Sequence, residues 1–195
     1  MSSSKLFIFN THDLPRRAGE MREYDLDVPA PERIGIDVIA VPEDQGIHIA
    51  MKLEAVTEGV LVSAHVSTVA EGECIRCLDP VEVPITRFFQ ELYRYAPEKA
   101  HTKAQRKAAE VLDDLDEDED LVMDGELINL EAPVRDAIVL GLPINPLCDP
   151  DCPGLCPGCG IKWSMLEPDH RHAAKDPRWA GLSDLFDVEN PDSIS

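Results

Sequence analysis

Six cysteines fall in two clusters far apart in the chain. Cys74 and Cys77 form a C-x-x-C within E-C-I-R-C-L, and Cys148, Cys152, Cys156 and Cys159 follow in L-C-D-P-D-C-P-G-L-C-P-G-C-G. A C-x-x-C sets two sulfurs where one tetrahedral ion can hold both, and a second pair from elsewhere in the chain closes the site. Glycine and proline around the later cluster let the backbone turn tightly about an ion. Any fold for this chain therefore has to carry the second cluster back to the first. The spacing points to zinc and says much less about what the zinc is for.

Six thiols are more than one four-ligand ion needs, so several sets compete. The set favoured by spacing is Cys74, Cys77, Cys156 and Cys159, two knuckles forming a ribbon-like site, with Cys148 and Cys152 as alternative or additional ligands. Cys74 and Cys77 can instead pair with Cys148 and Cys152. The last four cysteines can also bind alone, or all six can hold a two-ion cluster. Six reduced, buried thiols are the alternative without metal. A structural zinc contributes roughly 10 kcal/mol of apparent binding energy that is also folding energy. That is comparable with the whole stability of a typical domain. His170 and His172, in D-H-R-H, are replacement ligands in principle, but the surrounding sequence reads as a solvated loop. His48 and His65 lie on strands and read as sheet histidines.

Other chemistry has little support. A thioredoxin-like centre needs its C-x-x-C at a helix N-terminus in a βαβ setting, whereas Cys74 and Cys77 lie between strands. Hydrolytic zinc needs an open position for water and a general base, and an all-cysteine site is closed. No Gly-rich phosphate loop, nucleophile elbow or metalloprotease helix is present. The acids of residues 113–120 have no scaffold that would orient them around magnesium. The chain reads as a binding protein with no catalytic residues, no small-molecule substrate and no cofactor beyond zinc.

At 195 residues and 44% hydrophobic, the chain can build one ordinary domain with an aliphatic core. No apolar run approaches the roughly 20 residues of a membrane span. The N-terminal M-S-S-S-K-L-F-I-F-N does not read as a signal peptide. The expected location is the cytoplasm, where reducing conditions make C-x-x-C pairs metal ligands more often than disulfides. The formal net charge of −20 argues against broad binding to a phosphate backbone, which needs basic patches to release counterions. It fits a basic protein partner better. Arg16, Arg17 and Arg22 form a small cationic segment, read as a solvated surface arm.

Along the chain, residues 1–33 read as an extended arm with one short strand at 6–9, ended by P-A-P at 29–31. Residues 34–95 alternate with period two: Ile34, Ile36 and Val38; Ile47, Ile49, Met51 and Leu53; Val60, Val62, Ala64 and Val66; then a long strand from about Val81 to Tyr95. Turn signals separate the runs, which predicts an antiparallel sheet with one face covered and the first C-x-x-C in a turn between strands. Residues 96–128 read as an acidic mobile insertion, with a polar stretch at 99–110 and the acidic run at 113–120. Residues 129–195 carry a helix from Asn129 or Leu130 to Gly141, then the cysteine-rich knuckle. A short amphipathic helix follows from Asp176, with Trp179, Leu182, Leu185 and Phe186 on its apolar side. Pro133 in the first turn and Gly141 with Pro143 at the end mark the first helix. The fold class is α+β: a small antiparallel β-sheet packed against one or two helices, with a zinc knuckle and an acidic disordered insertion, in one domain.

Three separated motifs also agree in order and spacing with a known family. They are G-E-C-I-R-C-L, the helix V-R-D-A-I-V-L-G-L-P, and L-C-x-x-D-C-P-G-L-C-P-x-C-G with a terminal D-P-R-W-A-x-L. With T-H-D-L-P-R-R-A-G near the N-terminus, the sequence resembles the actinobacterial form of the YceD family, the large ribosomal RNA subunit accumulation proteins. The resemblance implies a ribosome-biogenesis factor needed for accumulation or processing of large-subunit (23S) ribosomal RNA. Genes of that family often lie beside that of ribosomal protein bL32. Implied partners are a large-subunit precursor or a basic ribosomal protein such as bL32, with any direct ribosomal RNA contact local. An RNA-processing enzyme or nuclease cofactor is the alternative, followed by a thiol redox protein.

Overall fold

Period-two alternation becomes strand wherever one face of a pleated ribbon can be buried, and most of this chain does so. In the computed structural model the described residues are 6–96 and 121–172. The chain divides into two compact units, Met1–Cys148 and Asp149–Ser195. Among its described residues the first unit holds eight strands: β1 (Ile8–Asn10), β2 (Met21–Pro29), β3 (Ile34–Ile36), β4 (Ile39–Val41), β5 (Gly46–Ala55), β6 (Gly59–Glu73), β7 (Pro80–Arg94) and β8 (Leu127–Asn129). A helix, α1 (Glu131–Gly141), follows β8. Among the described residues of the second unit, regular structure is limited to a single 3-10 turn, Trp163–Met165.

Six strands form one antiparallel sheet in the order β2-β5-β6-β4-β3, with β7 on the other side of β6. The long strand β6 organises it. Its first half pairs with β5, from Val60 opposite Ala55 to Ser67 opposite His48. Its far end pairs with β4 at Glu71 and Gly72. Along its whole length it pairs with β7, from Gly59 opposite Arg94 to Glu73 opposite Pro80. β1 and β8 form a separate two-stranded ribbon.

One face of the sheet is the core. Ile47, Ile49, Met51 and Leu53 of β5, Val60, Val62, Ala64 and Val66 of β6, and Ile85 and Tyr93 of β7 are buried, joined by Val134, Ala137 and Ile138 of α1 and by Phe7, Ile128 and Leu130. Burying one such aliphatic side chain is worth about 1.5–3 kcal/mol, so this face supplies most of the drive for folding. Helix α1 begins as the sequence predicts. The Asn129 side-chain oxygen accepts the Glu131 N–H at 2.9 Å, Pro133 lies in the first turn, and the helix ends at Gly141. No described helix is long and apolar enough to cross a membrane.

Two segments differ from the sequence expectation. The stretch read as an arm supplies β2, paired with β5 from Met21 opposite Glu54 to Pro29 opposite Gly46. Tyr24, Leu26 and Val28 turn inward while Glu23, Asp25 and Asp27 face solvent. Acids on an edge strand resist further strand pairing, but they also lower its apparent strand propensity. Residues 121–126, assigned by sequence to the acidic insertion, belong to the fold. Arg94 N–H donates to the Leu121 carbonyl at 2.7 Å and Met123 N–H to the Arg94 carbonyl at 2.9 Å, and Met123 is buried. The polar stretch at 99–110, the acidic run at 113–120 and the helix expected from Asp176 lie outside the described residues.

The β3–β4 hairpin carries a checkable constraint. Gly35 has φ +152°, and a Cβ there would sit 2.5 Å from the Ala40 Cα and 2.6 Å from the Ile39 carbonyl oxygen. Both are backbone atoms that cannot swing aside. Gly35→Ala is expected to destabilise the protein by about 1–3 kcal/mol, read as an earlier midpoint in urea unfolding with an unchanged slope.

Candidate metal centre

The first C-x-x-C occupies the turn between β6 and β7, as the alternation predicts. The Cys74 N–H donates to the Asp79 carbonyl at 2.7 Å, and the Leu78 N–H to the Cys74 carbonyl at 2.8 Å. Leu78 adopts φ +62°, a left-handed conformation that costs a residue with a Cβ roughly 1–2 kcal/mol. The turn is curled tightly enough to bury both sulfurs.

The segment after α1 lies against this turn. The Ile75 N–H donates to the Pro146 carbonyl at 3.0 Å, two residues before Cys148. The Cys77 and Cys148 sulfurs are 3.5 Å apart, too far for a disulfide and close to the spacing of about 3.8 Å expected for two thiolates on one zinc. The sulfurs of Cys74, Cys77 and Cys148 all lie within 4.8 Å of one another. Burial pushes the Cys74 thiol up. Backbone hydrogen bonds from Cys148, Arg76 and Cys77, with the Cys77 side chain, outweigh that and hold it at about 6 against an ordinary 9.0. A thiol held there is mostly thiolate at neutral pH, the form a metal requires.

Cys152 opens the second unit in a tight turn, where its N–H donates to the Asp149 carbonyl at 3.0 Å. The Asp151 N–H donates to the Asp149 carboxylate at 2.8 Å. Beyond it, Cys156 and Cys159 meet His170 and His172, and their ligand atoms lie within 4.8 Å of one another. The His170 Nε2 is 3.6 Å from the Cys156 sulfur, 3.6 Å from the Cys159 sulfur, and 2.8 Å from the His172 Nε2. Burial raises the Cys156 thiol, but hydrogen bonds from the Gly158 and Cys159 backbone and the Cys159 side chain lower it below its ordinary value overall.

These groupings differ from the set that spacing favours. The sequence places Cys156 and Cys159 with Cys74 and Cys77. The structure gathers Cys148 to Cys74 and Cys77, and gathers His170 and His172 to Cys156 and Cys159. Docking of the 146–148 segment on the hairpin turn delivers Cys148 first. The histidines, read from sequence as a solvated loop, are brought in by the chain's return after the 3-10 turn. Their C-x-x-C…H-x-H order was the available signal. Both groups could hold a metal ion. His48, on the solvent face, faces the acids of β2 instead, with Nδ1 3.0 Å from the Asp27 carboxylate.

Residues 62–186 match the family described as large ribosomal RNA subunit accumulation protein YceD, a span that includes both cysteine groups. An uncharacterized protein of Mycobacterium tuberculosis is 40% identical over 179 residues, covering 91% of this chain and 80% of the relative. An uncharacterized protein of Mycobacterium leprae is 32% identical over 184 residues, covering 94% and 79%. No solved structure matches the chain significantly.

Proposed function

The chain belongs to the YceD family of large ribosomal RNA subunit accumulation proteins, and we propose that it is a zinc-stabilised assembly factor. In this reading it binds a basic ribosomal protein, or a large-subunit precursor, in the cytoplasm and has no catalytic residues of its own. The family match over residues 62–186, which takes in most of β6, β7, α1 and both cysteine groups, carries the proposal. The surface supports it: β2 presents Glu23, Asp25 and Asp27 to solvent, and the chain as a whole carries a net charge of −20. Such a surface attracts a cationic partner and repels phosphate.

Zinc is the proposed ion for Cys74, Cys77 and Cys148, with Cys152 as fourth thiolate. Cys152 follows Cys148 by a four-residue step spanning at most about 14 Å when extended, and the turn at Asp149 shortens that distance. Four thiolates complete a tetrahedral shell and leave no position for water, so this ion stabilises rather than catalyses. It ties the β6–β7 turn to the segment leaving α1.

Association with purified bL32 and other basic large-subunit proteins should slow as salt rises, since exposed charges are screened beyond about 8 Å at physiological ionic strength. Cells lacking the protein should be short of mature large subunits, with unprocessed large-subunit RNA accumulating as a secondary effect. Stopped-flow binding over a salt series and ribosome-profile fractionation measure the two. The reading fails if no such protein binds while the purified chain cuts precursor RNA at a defined site.

A further inference from the structure

We infer that Cys156, Cys159, His170 and His172 form a second, self-contained zinc site, and that this ion rather than an apolar core folds residues 152–172. The inference is independent of the ribosomal role.

The donor set fits the ion. Two thiolates and two imidazoles are a common tetrahedral zinc shell, with metal–sulfur near 2.3 Å and metal–nitrogen near 2.05 Å. Those lengths place sulfur and nitrogen about 3.6 Å apart across a tetrahedral angle. The His170 Nε2 stands 3.6 Å from each sulfur. The two imidazoles present the same ring atom, Nε2, to each other at 2.8 Å. Without an ion one ring donates to the other at that distance; on one zinc the two nitrogens stand about 3.3 Å apart, so the rings need part by only about half an ångström to admit it.

The backbone is shaped for it. The Cys156 N–H donates to the Ile161 carbonyl at 2.8 Å and the Gly160 N–H to the Cys156 carbonyl at 2.8 Å, which curls the C-P-G-C-G segment around the sulfurs. Gly160 takes φ +72°, open to glycine without strain. At Gly158 a Cβ would collide with the His172 ring, so only glycine lets the imidazole close on the knuckle. Trp163 meets the His170 ring edge-on with centroids 5.9 Å apart and orients it.

The described residues of the unit bury little else. Among described residues 149–172 the buried ones are Cys152, Gly154 and Cys156. The buried hydrophobic cluster lies entirely in the first unit. A segment this small, without a core, needs a metal or other cross-link to hold one conformation. Binding energy at such a site is folding energy.

Full-length protein is compared with a His170→Ala/His172→Ala double variant, His170→Cys and Cys74→Ser. Elemental analysis gives zinc per chain, and hydrogen exchange reports protection segment by segment. The double variant should carry one zinc fewer than the parent. It should lose amide protection across 152–172 while β5, β6 and β7 keep theirs. His170→Cys should retain the ion and show stronger thiolate-to-cobalt charge-transfer absorption after cobalt substitution, because a third sulfur replaces a nitrogen. Cys74→Ser should lose an ion yet leave 156–172 protected. Equal zinc in the parent and the double variant overturns the inference. So does unchanged protection of 152–172 in the double variant, or loss of both ions in Cys74→Ser.

Discussion

Cys74→Ser should lower the melting temperature on the order of 10 °C and release one zinc per chain. Cys74 is buried in the β6–β7 turn, within 4.8 Å of the Cys77 and Cys148 sulfurs. Its thiol is held at about 6, well below its ordinary 9.0. Serine keeps the size but is a poor ligand for zinc, so the ion is lost or weakly held, and with it the folding energy stored in the site. A chain of this size shifts by about 2–4 °C per kcal/mol, so even a modest share of a structural zinc's binding energy gives a drop of this order. Treating the parent with a strong chelator should lower its melting temperature at least as far, and should shift Cys74→Ser by less than it shifts the parent. Calorimetry with and without chelator reads both effects. A variant that melts with the parent but fails in ribosome-profile assays would instead place chemistry at the thiol.

Tyr93→Ala should destabilise the protein by about 3–5 kcal/mol, and Tyr93→Phe by about 1–2 kcal/mol. Tyr93 is the largest fully buried side chain described. Its ring packs in the core, and its hydroxyl donates to the Asn129 carbonyl at 2.7 Å. That one contact pins β8 and the start of α1 to the sheet. Alanine removes the ring and leaves a cavity. Phenylalanine keeps the ring and leaves the Asn129 carbonyl without that donor. Burial, then the nearby Glu91 charge, pushes the Tyr93 hydroxyl well above its usual value. A raised folded value means that its stabilising share is intact below the unfolded value of about 10 and is lost as pH rises beyond it. Denaturant midpoints of the parent and Tyr93→Phe should therefore converge in alkali. A difference that stays constant up to strongly alkaline pH would show that the hydroxyl bond contributes little.

The sheet was largely legible because β5 and β6 alternate cleanly, one face buried and one wet, with turn residues between. Helix α1 was legible from Pro133 and Gly141 together with Val134, Ala137 and Ile138. Strand β2 was not, because Glu23, Asp25 and Asp27 occupy its solvent face and hide the alternation of Tyr24, Leu26 and Val28. Its strand state comes from pairing with β5, which no local pattern encodes. Residues 121–123 were hidden by the acids before them. At the metal centre the ligand types were legible and their partners were not. Cys148 and Cys156 are equivalent as cysteines; which one reaches Cys77 depends on the Ile75–Pro146 hydrogen bond. His170 and His172 look like any polar loop until Gly158 makes room for them.

The distance in sequence between Cys77 and Cys148, 71 residues, has a consequence for how the molecule is made. The β6–β7 hairpin is the local part of the topology and can close as soon as residue 94 is free of the ribosome, since short-range pairing is fast. Its turn then displays two thiolates with an incomplete shell. The remaining sulfurs, Cys148 first, come only after α1 has been synthesised and docked. At the usual 5–20 residues per second, the half-built site waits for seconds. During that interval a zinc ion bound there as proposed would be held by two sulfurs and would exchange readily. Arrival of Cys148 would then act as a timing step: the ion would be locked only in chains that have already placed their helix, and a chain stalled before that point would keep an exchangeable metal.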